Sequence, residues 1–458
     1  MQIKIKKGFD INLAGKAAQT LGQVERANTV ALKPDDFIGM YRPKVIAKEG
    51  TSVKAGSPVL YDKAHPDIMY TSPVSGEVVE VRRGAKRKIL EIVILADKET
   101  EYETFKSYNF SELGKLDAEE IRETMCKSGL WPQLLQRPYG IVPAKDSEPK
   151  AIFISAFDTH PLAPDYDFIF KGEEKNIQAG LDVLAKMTKA PIHLTVNNNG
   201  EVSSVFKGLE NVTIHQASGP HPAGNVGVQI HHISPVNKGE TVWTINPFGL
   251  AMIGRLFLTG KYDARKKIAF VGSEVKEPQY YEVLQGACLD KLTESGLTND
   301  HIRVISGNPL TGTRVDRKGF LGYYDHQVTV LPEGDKPRFF LTEGWLAPVK
   351  SRVSFHRALG LLSFLNGKNK EYKLDTNQNG EERAFVMTGA FEKVLPMDIL
   401  PTHLIKAILA EDYDEMEALG IYEIVEEDMA LCEFIDVSKH PIQEIVREGL
   451  DLMREAEA

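Results

Sequence analysis

Ala151-Ile-Phe-Ile-Ser-Ala156 is a run of six residues with one hydroxyl and no charge. A strand buried on both faces of a parallel sheet has this near-continuous apolar character, whereas a half-exposed strand alternates. Downstream, Ile177, Leu181, Leu184 and Met187 fall on one face of a helix. Pro191-Ile-His-Leu-Thr-Val196 and Val212-Thr-Ile-His215 read as further strands, and Pro247 to Leu258 as a closing helix. Strand and helix alternate over residues 105–261, which predicts an α/β domain with a mainly parallel sheet.

The flanks differ. Residues 41–100 read as all β. Val53-Lys-Ala-Gly-Ser-Pro-Val-Leu60, Pro73-Val-Ser-Gly-Glu-Val-Val-Glu-Val81 and Ile89-Leu-Glu-Ile-Val-Ile94 are short strands punctuated by Gly56, Gly76 and Gly84. Residues 262–366 read as a small α+β module. Its strands are Lys267-Ile-Ala-Phe-Val-Gly272 and Gln327-Val-Thr-Val-Leu331, with a helix from Tyr280 to Ser295 between them. Residues 367–383 form a polar loop. Helices then follow, one through Leu404, Ile405, Ile408 and Leu409 with Gly420 as a stop, another from Pro441 through Ile442, Ile445, Val446, Leu450 and Met453.

A chain of 458 residues is too long for one core, and two to four domains are expected. Its 64 acidic residues exceed 55 basic ones, for a net charge of -9, which argues against a nucleic-acid partner. Two basic runs, Lys4, Lys6 and Lys7, and Arg82, Arg83, Lys86, Arg87 and Lys88, read as solvated strand ends and turns. Three widely spaced cysteines, Cys126, Cys288 and Cys432, give no disulfide framework and suit a reducing compartment. The opening residues lack the apolar core of a signal peptide. The longest apolar stretch, Phe248 to Leu258, contains Arg255 and is well short of the roughly 20 residues that span a bilayer.

The densest candidate for function is Ser218-Gly-Pro-His-Pro-Ala-Gly-Asn-Val-Gly-Val-Gln-Ile-His-His-Ile-Ser-Pro235, with three glycines and three histidines in 18 residues. Glycine permits close approach of backbone to a ligand, and imidazole titrates near neutrality. His221, Gly224, His231 and His232 are therefore the ligand-binding or interface candidates. Read as a strand, the segment would point His231 and His232 to opposite faces, where they could not share a metal. The alternative is that the glycines shape a loop and the histidines pack at a subunit interface. No P-loop, GxGxxG after a strand, HExxH or GxSxG is present, so neither a catalytic residue nor a metal site is expected.

Residues 41–100 resemble a biotinyl/lipoyl-like domain through Val53-x-x-Gly56-x-Pro-Val-Leu60 and Ser72-Pro-Val-Ser-Gly76. That resemblance puts His65 where such carriers have their modified lysine, with Lys63 out of register, and implies a structural module. Over the whole chain, the order of pieces resembles a family group. It comprises the A subunit of the sodium-translocating NADH:quinone oxidoreductase, the C subunit of the related Rnf complex and the flavin-binding subunit of respiratory complex I. The residues that carry the likeness are Ile3-Lys-Ile-Lys-Lys-Gly-Phe-Asp-Ile-Asn-Leu-Ala-Gly15, Gly219-Pro-His-Pro-Ala-Gly224, Ile230-His-His-x-x-Pro-Val236, Trp243 and Ile253-Gly-Arg-Leu-Phe-Leu-Thr-Gly260.

The resemblance implies a multidomain α/β and α+β chain in four parts. Residues 1–104 hold the biotinyl/lipoyl-like β domain, 105–261 a Rossmann-like α/β domain without its nucleotide loop, and 262–366 a soluble-ligand-binding β-grasp domain. Residues 367–458 form a C-terminal helical domain of degenerate ferredoxin-like type. Where relatives hold NADH and FMN on a glycine-rich loop, this chain has Cys126-Lys-Ser-Gly-Leu-Trp-Pro-Gln-Leu-Leu-Gln-Arg-Pro-Tyr-Gly140, with Gly129 followed by Trp131 and Leu134. Where they carry C-x2-C-x2-C-x3-C-P clusters, it has Phe385, Thr388, Phe391 and Leu395 before Pro-Met-Asp-Ile-Leu-Pro401. The second run would use Glu426, Met429, Cys432 and Asp436.

The resemblance thus implies a peripheral subunit on the cytoplasmic side of the inner membrane, in a complex that oxidises NADH, reduces quinone and translocates sodium. No cofactor is expected on this chain; the complex uses flavins, iron–sulfur centres and quinone. The integral-membrane subunits are the expected partners, with quinone as a further candidate. The competing readings are an NADH- and flavin-binding electron-input subunit of Rnf type, and a carrier or scaffold built on the lipoyl-like domain.

Overall fold

The computed structural model describes residues 1–198, 203–336 and 370–457. Its central sheet runs, edge to edge, Gln2–Lys4, Thr213–Ser218, Ile192–Asn197, Ile152–Ser155, Val242–Ile245 and Leu134–Arg137. The first five are parallel and the last is antiparallel. Ile152, Phe153 and Ile154 are buried, as a double-sided strand requires. Helices Glu174–Met187, Val226–Ile233 and Pro247–Thr259 complete this α/β unit.

Helices Glu174–Met187 and Pro247–Thr259 cross at glycine. A Cβ at Gly180 would stand 2.2 Å from the Leu250 carbonyl oxygen, and one at Gly254 would stand 1.8 Å from that of Asn176. The two backbones therefore approach more closely than any side chain allows, which fixes the helix layer on the sheet.

Two smaller sheets build the β region. One orders Thr29–Leu32, Ile89–Ala96, Gly76–Arg83 and Ser52–Val53; the other orders Pro43–Val45, Pro58–Asp62 and His65–Thr71. In the hairpin between Pro58–Asp62 and His65–Thr71, Asp62 pairs with His65 across an irregular register. Lys63 and Ala64 thus form the tip, and His65 is the first residue of the returning strand. The expected alignment put His65 at the tip. The register shift moves the exposed tip two residues back, so that Lys63 stands there.

A third region orders Thr313–Val315, Ile302–Ser306, Gln327–Pro332, Arg265–Val271, Gln279–Leu284 and Ala18–Gly22. The stretch Tyr280 to Ser295, expected as a helix, is instead a strand over Gln279–Leu284 followed by a short helix at Asp290–Thr293. Tyr280, Tyr281 and Val283 are β-formers, and pairing with Arg265–Val271 overrides the weak helical spacing. The N-terminal residues are shared out: Gln2–Lys4 extends the central sheet and Ala18–Gly22 extends this one. By pairing, they sit apart from the β region with which 1–104 was grouped. Residues 337–366 of the expected β-grasp unit and 367–369 of the polar loop lie outside the described residues.

The C-terminal region is helical, with Pro401–Leu409, Tyr413–Ala418, Glu426–Ile435 and Ile442–Glu457. Gly420 is left-handed at φ 88°, as a stop after the second of these helices. Among the described residues, no helix is long and apolar enough to cross a membrane.

The Gly180–Gly254 crossing yields a test. Gly-to-Ala in a helix ordinarily adds up to about 1 kcal/mol of stability. Gly254→Ala should instead cost about 1–3 kcal/mol through overpacking, read as a lower denaturant midpoint. An unchanged or higher midpoint would contradict the close approach.

Candidate functional site

Ligands of open α/β sheets bind outside the carboxyl ends of the strands. Here Ile152–Ser155 leads into Phe157-Asp-Thr-His160, and Thr213–Ser218 leads into Gly219-Pro-His221. Asp158 Oδ1 accepts the His160 backbone N–H at 2.8 Å and lies 2.6 Å from His160 Nδ1. The His160 ring centroid stands 4.6 Å from that of His221, and its Nε2 lies 3.7 Å from Glu427 Oε1.

Burial opposes a charge on His160, but Asp158, and behind it Glu427 and Asp428, outweigh that cost and raise its pKa to about 9. His221 is pushed the other way, well below its ordinary value, by burial and by the neighbouring His160 charge. The pair therefore divides into one imidazolium and one neutral imidazole.

His221 is 1% exposed. Its backbone N–H donates to Asp10 Oδ1 at 2.8 Å. Thr159 Oγ1 accepts the Gly224 N–H at 2.9 Å, leaving its own hydrogen for His221 Nδ1 at 3.1 Å. A Cβ on Gly224 would fall 2.7 Å from the Thr159 nitrogen, so glycine is what lets this turn close on the Asp158–His160 loop.

His231 and His232 lie at the far end of the same helix, Val226–Ile233, and not on a strand. Val226, Ile230 and Ile233 recur at helical spacing and pack on the sheet with Phe153 and Val242, which decides the local structure. Asp398 N–H donates to His231 Nε2 at 3.0 Å, so Nδ1 is the donor to Glu423 Oε2 at 2.7 Å. His232 is held below its ordinary pKa by burial and by His231. The structure thus brings His221 and Gly224 together at the sheet and sets His231 and His232 against the helical region.

Five residues of this site escaped sequence reading: Arg137, Asp158, His160, Glu427 and Asp428. Arg137 Nη1 meets Asp428 Oδ2 at 2.5 Å, with both side chains buried, and Arg137 Nη2 lies 3.6 Å from Glu427. Asn225 Nδ2 donates to the Glu427 carbonyl at 3.2 Å. A signal existed for Asp158 and His160, which directly follow the central apolar strand. Nothing in the sequence connects Arg137 to residues 427–428.

The Asp158–His160 loop also lines a cleft of about 620 Å³, walled by residues 10–13 and 156–160 and by Asp165, Asn197 and Glu371. Its lining carries Asp10, Asp158, Asp165, Asp167 and Glu371 against Lys16 and His160. Among the described residues, no group of three or more His, Cys, Asp or Glu side chains is arranged to hold a metal.

The turn after helix Ala118–Ser128 is solid. Gly129 is left-handed at φ 80°, and a Cβ there would strike Thr71 Oγ1 at 2.2 Å. Trp131 is fully buried, donates Nε1–H to the Pro143 carbonyl at 2.8 Å, and meets Trp243 edge-on at 5.7 Å. The Arg122 guanidinium lies 5.8 and 5.9 Å from these two rings.

In the helical region Phe391, Leu395, Met429 and Cys432 are buried, and burial pushes the Cys432 thiol up. Phe385 packs on Phe391 and His440. Thr388 Oγ1 accepts the Ala390 N–H, and Glu426 pairs with Arg447. Asp436 accepts N–H bonds from Ser438 and His440.

Three family domains match the sequence: the NqrA N-terminal barrel-sandwich hybrid domain over 3–97, the NqrA second alpha/beta domain over 116–262 and the NQRA C-terminal domain over 267–317. The A subunit of the Na(+)-translocating NADH-quinone reductase of Neisseria gonorrhoeae (strain NCCP11945) is 39% identical over 450 residues, covering 98% of each chain. This chain belongs to the NqrA family, the A subunits of that reductase. The Haemophilus influenzae (strain 86-028NP) member is 38% identical over 452 residues, again covering 98% of both. Among solved structures, an air-oxidised NAD+-reducing [NiFe]-hydrogenase aligns with 51% of this chain and 52% of its own at 14% identity and a TM-score of 0.33, a distance from which nothing follows. The barrel-sandwich and α/β assignments agree with the sheets described above.

The His160 environment sets a pH dependence. A histidine whose pKa rises on folding from 6.5 to about 9 contributes stability that is fully present below 6.5 and lost as pH climbs through about 9. The denaturant midpoint should fall between about pH 7 and about pH 9.5, and His160→Gln should flatten that fall. Parallel curves for the two proteins would show that His160 is not the group responsible.

Proposed function

We propose that this chain serves as a peripheral subunit of a complex that oxidises NADH, reduces quinone and translocates sodium. It docks on the cytoplasmic side against the integral-membrane subunits and holds no redox centre of its own. The flavins, iron–sulfur centres and quinone of the complex then lie on other chains. Membership of the NqrA family supports the setting.

The observation that carries the second half is the filled interior. Phosphate binding on a glycine turn needs backbone N–H groups open to the ligand. At Gly129 that space is held by Thr71, and beyond it by Trp131 and Trp243. Iron needs thiolates, and the eight corresponding positions present Cys432 alone. In this reading the barrel-sandwich region is a lipoyl-like structural module, the 262–366 region a β-grasp docking module, and 105–261 a Rossmann-like frame without a nucleotide. His221, Gly224, His231 and His232 act as packing and interface residues, because His221 is sealed from solvent and His231 is engaged by Glu423 and Asp398.

One observation favours the competing reading of an NADH- and flavin-binding subunit: the cleft at the carboxyl ends of the parallel strands. Its charge speaks against that ligand. Five carboxylates face Lys16 and His160, and a dinucleotide's phosphates would be repelled.

The purified chain should show neither a flavin band nor an iron–sulfur absorbance, and its intact mass should equal that of the sequence, with Lys63 unmodified. A stoichiometric flavin spectrum would overturn the reading, as would a mass shift located to Lys63. In the assembled complex, His221→Ala should leave the apparent quinone affinity within about twofold, since a packing residue contributes no ligand contact. A tenfold weaker affinity at unchanged assembly would make it a quinone contact.

A further inference from the structure

Between the two small sheets of the N-terminal β region lies an open cleft lined by Lys44, Lys48, Lys63 and Arg83, with Ile89 at its floor. Glu49 is its one carboxylate, and Glu49 Oε1 is already engaged by the Val81 N–H at 2.8 Å. Among the described residues, none of the four cations has a carboxylate within ion-pair distance. Lys44 rests over the Tyr61 ring at 5.5 Å, and Arg83 donates to the Arg87 carbonyl at 3.1 Å. By contrast, Arg82 pairs with Glu80 and Glu91, and Lys88 with Asp35. The turn after Arg83 adds Lys86 and Arg87, both exposed.

Solvated strand ends account for each cation singly. They do not account for the convergence of four unpaired ones on one cleft of a chain whose net charge is -9.

We propose that this face is a membrane-contact surface that takes the phosphate groups of anionic lipids. Lysines are point charges on flexible stems, suited to a fluid array of phosphates and poorly suited to reading a fixed peptide. Each cation brought to an anionic leaflet strengthens attachment roughly fivefold, and salt screens the effect. The chain's net charge of -9 is repelled by the same leaflet, which favours turning this cationic face toward it. The proposal rests on the charge geometry and stands whether or not the chain lacks a redox centre.

Flotation of the full chain with vesicles tests it. The chain should float with phosphatidylcholine vesicles containing phosphatidylglycerol, stay behind with phosphatidylcholine alone, and release in high salt. Lys44→Gln/Lys48→Gln/Lys63→Gln should weaken binding at least tenfold, and Arg83→Gln alone by a smaller factor. Lys171→Gln/Lys175→Gln/Lys207→Gln, an equal change of net charge on exposed lysines of the α/β domain, should leave binding within twofold. Equal partition to both vesicles would overturn the proposal, as would parental binding by the cleft variant. So would capture by an immobilised acidic peptide without any binding to the anionic vesicles, which would assign the face to a partner chain.

Discussion

The buried contact of Arg137 with Asp428 is the joint on which the arrangement turns. Arg137 comes from the antiparallel edge strand of the central sheet, and Asp428 from the first turn of helix Glu426–Ile435. Removing one partner of such a pair leaves an uncompensated charge in the interior and costs about 3–5 kcal/mol. Gly227 makes room for it, since a Cβ there would fall 2.3 Å from Asp428 Oδ1 and 2.4 Å from Arg137 Nη1. With this joint closed, the helical region covers one side of the strands' carboxyl ends, and Glu427 reaches His160.

Around that joint, space is filled by side chains. A protein interior packs to near-crystal density, so large side chains that meet there leave no room between them. Trp131 packs against Trp243 beside the glycine turn, and Phe391, Leu395 and Met429 are buried in the helical region. Asp436 is committed to the backbone N–H groups of Ser438 and His440. The stability of these helices rests on burial, which their apolar side chains supply.

Much of the fold was legible in the sequence, because periodicity reports burial. The continuous apolar run 151–156 marked the double-sided strand, and the stripe Ile177, Leu181, Leu184 and Met187 marked its covering helix. Misreadings fell where local pattern and tertiary pairing disagree. Tyr280 to Leu284 was claimed by pairing with Arg265–Val271. The hairpin tip was missed by two residues because an irregular register cannot be counted from sequence. Half of the candidate site was hidden for a different reason. Arg137 and Asp428 are 291 positions apart, and no one-dimensional pattern connects them.

On the proposed function this chain binds neither NADH nor FMN. Equilibrium dialysis of the full chain against NADH, and separately against FMN, tests this most directly. No saturable binding of either is expected up to about 1 mM, the weak end of specific recognition. One equivalent of either ligand bound at micromolar concentration, and lost when Asp165 or Lys16 is substituted, would contradict it.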